Sequence, residues 1–273
     1  MNLIPEIRPG QSLDLLKELH ILTRDGKLNQ DTRRKLKQVY HLYQFIEPLM
    51  KELTQEQRDY HLVDHGAGKS YLGFILYDLF IKSSPLGKVI GIETRDELVK
   101  KSRELAQKLK FDRMSFHHLT VEEATSSKAL PETAEIVTAL HACDTATDDA
   151  IKFALEKKAK FVVLVPCCQA EVASVLRKNK GKALGKTVLT EIWRHALHTR
   201  EFGSHITNVL RCLELEANGY QVTVTELIGW EHSMKNELII AHFKDLPRQH
   251  SRQRLNGLLE ELGLEELKSR FAN

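Results

Sequence analysis

The apolar positions of the chain follow two rhythms. From Asp31 to Leu53, residues Leu36, Val39, Tyr40, Tyr43, Ile46 and Met50 recur at three- and four-residue spacing, the period of a helix that buries one face. Arg33, Arg34, Lys35 and Lys37 fill its start and read as a solvated face, with a substrate-docking role as the alternative. Pro48 is expected to kink or split this helix. A shorter helix is predicted over Ser12–Leu22, and Asp25-Gly26 reads as a turn before the long one.

From residue 61 onward short β-rich runs alternate with helical stretches. The runs are His61–Asp64, Lys88–Glu93, Met114–Leu119, Glu135–His141 and Lys160–Val165. The helical stretches are Tyr71–Ile81, Asp96–Leu109, Thr147–Glu156 and Ala170–Arg177. Lys160–Val165 is nearly all apolar after its lysine, as expected of a central parallel strand buried on both faces. One long helix is predicted over Glu191–Asn218, stopped by Gly219. Two strands follow, Gln221–Leu227 and Glu237–Phe243, with a link too short for a helical crossover, so they are expected to be antiparallel. An amphipathic helix over Asn256–Phe271 is expected to pack on the domain. The alternation predicts a Rossmann-like α/β sheet of seven strands, the last antiparallel, with an N-terminal helical extension and a C-terminal helix. The expected divisions are a helical cap at 1–56, a nucleotide-binding domain at 57–244, and a linker with a helix at 245–273.

Composition narrows the class modestly. The chain has 273 residues, enough for a large core. Lys and Arg total 40 against 37 acidic residues, a balance that neither demands nor excludes nucleic acid. No apolar run reaches membrane-spanning length and the start lacks a signal-peptide pattern. The four cysteines, Cys143, Cys167, Cys168 and Cys212, do not suggest a secreted disulfide framework. The expectation is a soluble, cytoplasmic protein.

The stretch D-H-G-A-G-K-S-Y-L-G, Asp64 to Gly73, lies between the first strand and the helix after it. Strand, glycine turn and helix open a nucleotide-binding α/β sheet, because backbone can pass close to a ligand and the helix points free N–H groups at it. Gly68-Lys69-Ser70 spells the end of a P-loop, but the glycine required five residues earlier is Val63. A dinucleotide fingerprint fits Gly66 and Gly68 but meets Tyr71 at its third glycine. The stretch also resembles the S-adenosylmethionine (SAM) loop of class I methyltransferases, where an acidic residue precedes the glycines as Asp64 does here, and an ordinary turn without ligand is the fourth reading.

The other strand ends carry further candidates. Glu93 closes the second strand, where an acid accepts hydrogen bonds from ribose hydroxyls in such folds. Thr120 and Glu122 follow the third strand, where a polar side chain can meet the adenine amine or simply cap a helix. The fourth strand ends L-H-A-C-D-T-A-T-D and the fifth P-C-C-Q. Asp148 is partly explained as negative charge at a helix N-terminus, whereas Asp144 has no such structural role. His141, Cys143 and the Cys167-Cys168 pair invite a zinc-deaminase reading. That site needs a glutamate two residues after the histidine and C-x-x-C rather than C-C, so no metal is expected.

D-x-G-A-G-K-S-Y-L, L-H-A-C-D-x-A-T-D, P-C-C-Q and the late H-S-M-K-N occur in this order. Together they resemble a family of class I SAM-dependent methyltransferase domains, over roughly residues 33–243. A more distant similarity is to eukaryotic tRNA 2′-O-methyltransferases. The chain departs from the pattern at His65 and at Ser233-Met234. The resemblance implies SAM as cofactor, lined by Asp64, Gly66, Ala67, Gly68, Lys69, Tyr71, Glu93, Thr94, Thr120, Glu122 and His141. It implies a methyl-transfer end formed by Asp144, Cys167, Cys168, Gln169, Lys235 and Asn236. The expected acceptor is RNA, tRNA or rRNA. A small molecule or protein acceptor, and a SAM-binding module without catalysis, stand as alternatives.

Overall fold

The computed structural model describes residues 6–140, 142, 144–166, 169–179, 188–227 and 237–272, apart from the side chain of residue 121. Two helices, α1 (Leu13–Glu18) and α2 (Gln30–Gln55), precede the sheet. The alternating core follows as β1 (His61–His65), α3 (Tyr71–Leu79), β2 (Lys88–Glu93), α4 (Asp96–Lys108), β3 (Met114–His118), α5 (Val121–Ser126), β4 (Ile136–Ala139), α6 (Thr145–Glu156) and β5 (Phe161–Leu164). Then come α7 (Glu171–Lys178), α8 (Ala196–Ala217), β6 (Tyr220–Glu226), β7 (Glu237–Phe243), α9 (Gln249–Glu261) and α10 (Lys268–Phe271).

Seven strands pair in the order β3-β2-β1-β4-β5-β7-β6. The pairs β1–β2, β2–β3, β1–β4 and β4–β5 are parallel, and β7 runs antiparallel to both β5 and β6. The last strand is therefore antiparallel as expected, but it inserts between β5 and β6. Composition explains the swap. Glu237–Phe243 is mostly apolar and takes the covered position, while β6 alternates with polar residues and accepts the exposed edge. The chain winds outward from β1 to β3 and then returns to β4, so a switch point opens at the carboxyl ends of β1 and β4, where α/β sheets bind ligands.

Helix α2 is anchored by a capping box, with Asn29 and Thr32 satisfying each other's backbone N–H groups. It continues through Pro48 instead of splitting. Leu42, Tyr43, Ile46, Met50 and Leu53 bury a stripe on both sides of the proline, and they belong to the same apolar cluster as Leu72, Phe74 and Ile75 of α3. That packing outweighs the one backbone bond that proline removes. Two other helices differ from expectation. The 191–218 stretch breaks at His195, after a short 3₁₀ segment from Val188 to Arg194. No residue of the segment is fully buried, and its ties to α8 are few: Trp193 packs on the Phe202 ring at 5.8 Å and the Thr199 hydroxyl donates to Ile192 O at 3.2 Å. The tail helix starts earlier, at Gln249, and breaks at Gly263, which sits at φ +66°. Its Leu255, Leu259 and Phe271 pack with Val172, Leu176, Leu210 and Leu213 of α7 and α8. No helix of the described residues is long and apolar enough to cross a membrane.

Candidate cofactor site

The loop after β1 is shaped by backbone. Gly66 has φ +67° and Gly68 φ +57°, and Ser70 also turns left-handed at φ +49°. Side chains resist that region and glycine does not. The loop is tied down at several points. Ala67 N–H donates to Ile92 O at 2.9 Å, and Ser70 N–H to Ala67 O at 2.7 Å. Gly68 N–H donates to the Glu93 carboxylate at 2.7 Å. A Cβ at Gly66 would stand in ordinary contact with Ala142, 3.5 Å from its Cβ, so the bar to a side chain there is the positive φ.

Asp64 sits at the base of this turn and is buried. It accepts hydrogen bonds from the Thr138 hydroxyl at 2.9 Å and the Ser70 hydroxyl at 3.4 Å. Loss of solvation pushes its carboxyl up to about 7, against those two hydroxyls, which favour the charged form. His65 is buried beside it, with neither ring nitrogen partnered among the described residues, and burial holds it down to about 4. It packs against the Phe153 ring at 5.7 Å. The neutral imidazole thus does the work of the small or apolar residue expected there.

A cavity of about 190 Å³ opens above the loop. Asp64, Gly66, Ala67, Tyr71, Leu72 and Leu140 form one wall, and Lys35, Gln38, Val39 and Leu42 of α2, with Ile21, form the other. Sequence reasoning named Asp64, Gly66, Ala67 and Tyr71 of the first wall but not Leu72 or Leu140, and it assigned no residue of the second wall to the cofactor. The signal for the second is the helical spacing of Lys35, Gln38, Val39 and Leu42.

Glu93 faces the loop, as expected of a ribose-binding acid. Its oxygens are also taken by Arg95, from its backbone N–H at 3.1 Å, Nε at 3.0 Å and Nη2 at 3.3 Å. Burial raises this carboxyl, but the Arg95 and Gly68 hydrogen bonds outweigh it and hold the group below its usual range. Arg95 is mostly exposed, so it can yield its place to a sugar. The Thr94 hydroxyl turns to Glu93 at 3.3 Å.

The remaining expected residues scatter. Lys69 lines a different cavity, of about 480 Å³, with His20, Lys101 and Lys108. Thr120 is the cap of α5, in a reciprocal pair with Glu123. That pairing explains Thr120 without a ligand, and Glu122 is exposed on the first turn of α5. His141, Cys167, Cys168, Lys235 and Asn236 lie outside the described residues.

Asp144 and Gln169 have structural partners that the sequence did not reveal. Asp144 Oδ1 accepts from the backbone N–H groups of Ala170 at 2.9 Å and Glu171 at 3.3 Å, fastening the β4 end to the start of α7. The expectation that Asp144 lacks a structural role is thereby corrected. Gln169 is buried, with its amide donating to Asn208 at 3.0 Å and accepting from Ser204 at 2.7 Å. Arg211 of α8 is wholly buried and joins these parts. It donates to Asp148 at 2.6 Å, to Asp144 O at 2.7 Å and to Asn208 at 3.2 Å. Asp148 is therefore an ion-pair partner rather than a free charge at a helix start. Asn208 in turn donates to Glu237 at 2.7 Å. Ser204, Asn208 and Arg211 recur at helical spacing, a polar stripe that could have flagged a buried network.

A sequence model of the family described as "Methyltransferase domain" matches residues 34–175, just over half of the chain. The chain belongs to this family. It is a SAM-dependent methyltransferase, and SAM is its cofactor. No curated protein matches it significantly in sequence.

Several solved structures are similar to the chain. A Klebsiella pneumoniae protein assigned as an O-methyltransferase is 10% identical, with a TM-score of 0.50, 88% of this chain covered and 93% of the other. Magnesium protoporphyrin IX methyltransferase from Synechocystis PCC 6803, solved with bound S-adenosylhomocysteine (SAH), is 15% identical at TM-score 0.45 over 84% of this chain and 92% of that one. An rRNA methylase from Streptococcus thermophilus is 11% identical at TM-score 0.42, over 69% and 88%. At 10% identity the likeness to the Klebsiella protein is one of fold alone.

The described residues suit a nucleoside cofactor on local grounds. The turn is left-handed at three residues, its peptide faces are bare at Gly66 and Gly68, and an acid stands across from it on β2. SAM carries a methyl group on a positively charged sulfur.

Proposed function

We propose that this methyltransferase acts on RNA, tRNA or rRNA, with SAM held over the Gly66–Gly68 turn. Asp64, Gly66, Ala67 and Tyr71 would hold its amino-acid end, and Glu93 its ribose. The acceptor would approach across α2. The observation that carries the RNA reading is the charge on that helix. Arg34 and Lys37 are exposed on its first turns with no ion pair among the described residues, next to the cavity wall. Arg33 is exposed as well and pairs with Glu6. Cations placed so can meet phosphates. The motif resemblance to tRNA 2′-O-methyltransferases supports the same reading.

Methyl transfer to a hydroxyl is an in-line displacement, so the protein mainly fixes position and gives the departing proton somewhere to go. Asp144 and Gln169 serve the first need. Both are spent on internal hydrogen bonds, and they hold the β4 and β5 ends in register with each other. Cys167, Cys168, Lys235 and Asn236 remain the proposed groups at the transfer end.

A second reading has its own support. The wall formed by Ile21, Val39, Leu42, Leu72 and Leu140 is apolar, as in sites for small organic acceptors. Incubation with labelled SAM and total RNA, protein extract or a metabolite pool separates the readings. Label in RNA alone is the expected result, and RNA affinity should fall steeply with salt if phosphate contacts carry it. Label only in small molecules overturns the RNA assignment.

A further inference from the structure

The cavity over the glycine turn holds two opposite charges. Asp64 lines its floor, fixed by two hydroxyls. Lys35 lines the facing wall, reaching in from α2. It is the one cationic side chain among the described lining residues, and no described residue pairs with it. The other cations close to the turn are committed elsewhere. Arg95 pairs with Glu93 on β2 and does not line this cavity, and Lys69 lines the other one. The rest of the wall is largely apolar.

The amino-acid end of SAM is a zwitterion, with an ammonium and a carboxylate on one carbon. A cavity with an acid at the floor and a cation at the mouth is complementary to that pair of charges. We propose that Lys35 binds the carboxylate of the amino-acid end of SAM while Asp64 receives its ammonium, so that helix α2 is part of the cofactor site. This rests on the reading that SAM occupies this cavity.

Two physical points agree with it. Asp64 is hard to ionise where it sits, and an ammonium beside it would hold it charged. Lys35 is exposed without a ligand, so binding would desolvate one end of the pair and raise its worth above that of a surface contact. The position of α2 is also fixed. The buried Leu36 and Thr32 flank Lys35, so the helix does not need to move for the lysine to reach in.

Decarboxylated SAM lacks only the carboxylate, which makes the test a cycle of two ligands and two proteins. Titration calorimetry on the full chain should show wild type binding SAM about tenfold more tightly than decarboxylated SAM. Lys35→Ala should lose that discrimination, and Lys35→Arg should restore most of it. Circular dichroism melts check that the exposed substitution leaves the fold intact. Lys35→Ala that binds SAM as tightly as wild type overturns the assignment. So does a Lys35→Ala protein that still prefers SAM by the wild-type margin, or one that weakens both ligands equally. Wild type that binds neither ligand instead sinks the cofactor reading on which the proposal stands.

Discussion

On the β1–β2 side of the switch point the site is made of backbone and near neighbours. Gly68 reaches Glu93 at a separation of 25 residues, and Ser70 reaches Asp64 at six. One tie there is long in sequence, from Thr138 to Asp64 across 74 residues, but it joins residues already set side by side by the register of β1 and β4. On the β4–β5 side the site is made of side chains held from far away. Arg211 reaches Asp148 and Asp144 across 63 and 67 residues, and Asn208 reaches Gln169 across 39. The first side is a surface for a ligand to lie on. The second is a frame that sets where the β4, β5 and β7 ends stand relative to one another. Arg211, Asp148, Asn208 and Gln169 are buried, Asp144 and Glu237 are part-buried, and the hydrogen bonds among them fix the positions of these strand ends.

The frame should be the more fragile side. Arg211→Ala would leave Asp148 and the Asp144 carbonyl without their donor in a buried setting, and a loss of about 3–5 kcal/mol is expected. Urea denaturation reads it directly. A change below about 1 kcal/mol would mean that the network is an ornament rather than a frame.

The ligand surface should fail in binding and keep its stability closer to wild type. Gly66→Val puts a branched side chain at φ +67° against Ala142. A drop of about 100-fold in SAM affinity is expected, with Glu93→Ala falling short of that. Calorimetry on both variants decides it, and two proteins that bind like the parent would move the site elsewhere.

The smallest expected effect concerns Asp64. Its carboxyl titrates at about 7 in the fold and near ~3.9 in an unfolded chain. Between those values the folded chain keeps a proton that the unfolded chain has released. Its contribution to stability is therefore full below about 4 and lost as pH rises through 7. Asp64→Asn should remove that slope, changing the difference from wild type by roughly 2 kcal/mol between pH 5 and pH 8. Chemical denaturation at the two pH values measures it, and parallel pH profiles would show that Asp64 is already ionised.

The same contrast explains what could be read from the chain. Period and punctuation placed nearly every element, because alternation and three- to four-residue spacing are local. The exceptions were the short α5, for which no helix was predicted, and ends and breaks at His195 and Gly263. The glycine turn and the acid on the next strand were legible because a left-handed turn leaves glycine as its mark and the register of parallel strands does the rest. The lysine on α2 was read as part of a solvated face or as a substrate-docking residue, and not as a cofactor contact. Its place at the cavity comes from how α2 packs on α3, which no spacing within the helix can state.

By itself the sequence determined the α/β plan, the bend after the first strand, and the acids that stand near it. Only the tertiary structure decided that Asp144 and Gln169 are held parts of a frame, that Thr120 is a cap, and that β7 enters between β5 and β6. The physical reason is the range of the forces. A turn or a helix is set by residues a few places apart, whereas a buried charge is placed by whatever partner the whole fold brings to it, and Arg211 meets Asp148 only after α8 has packed.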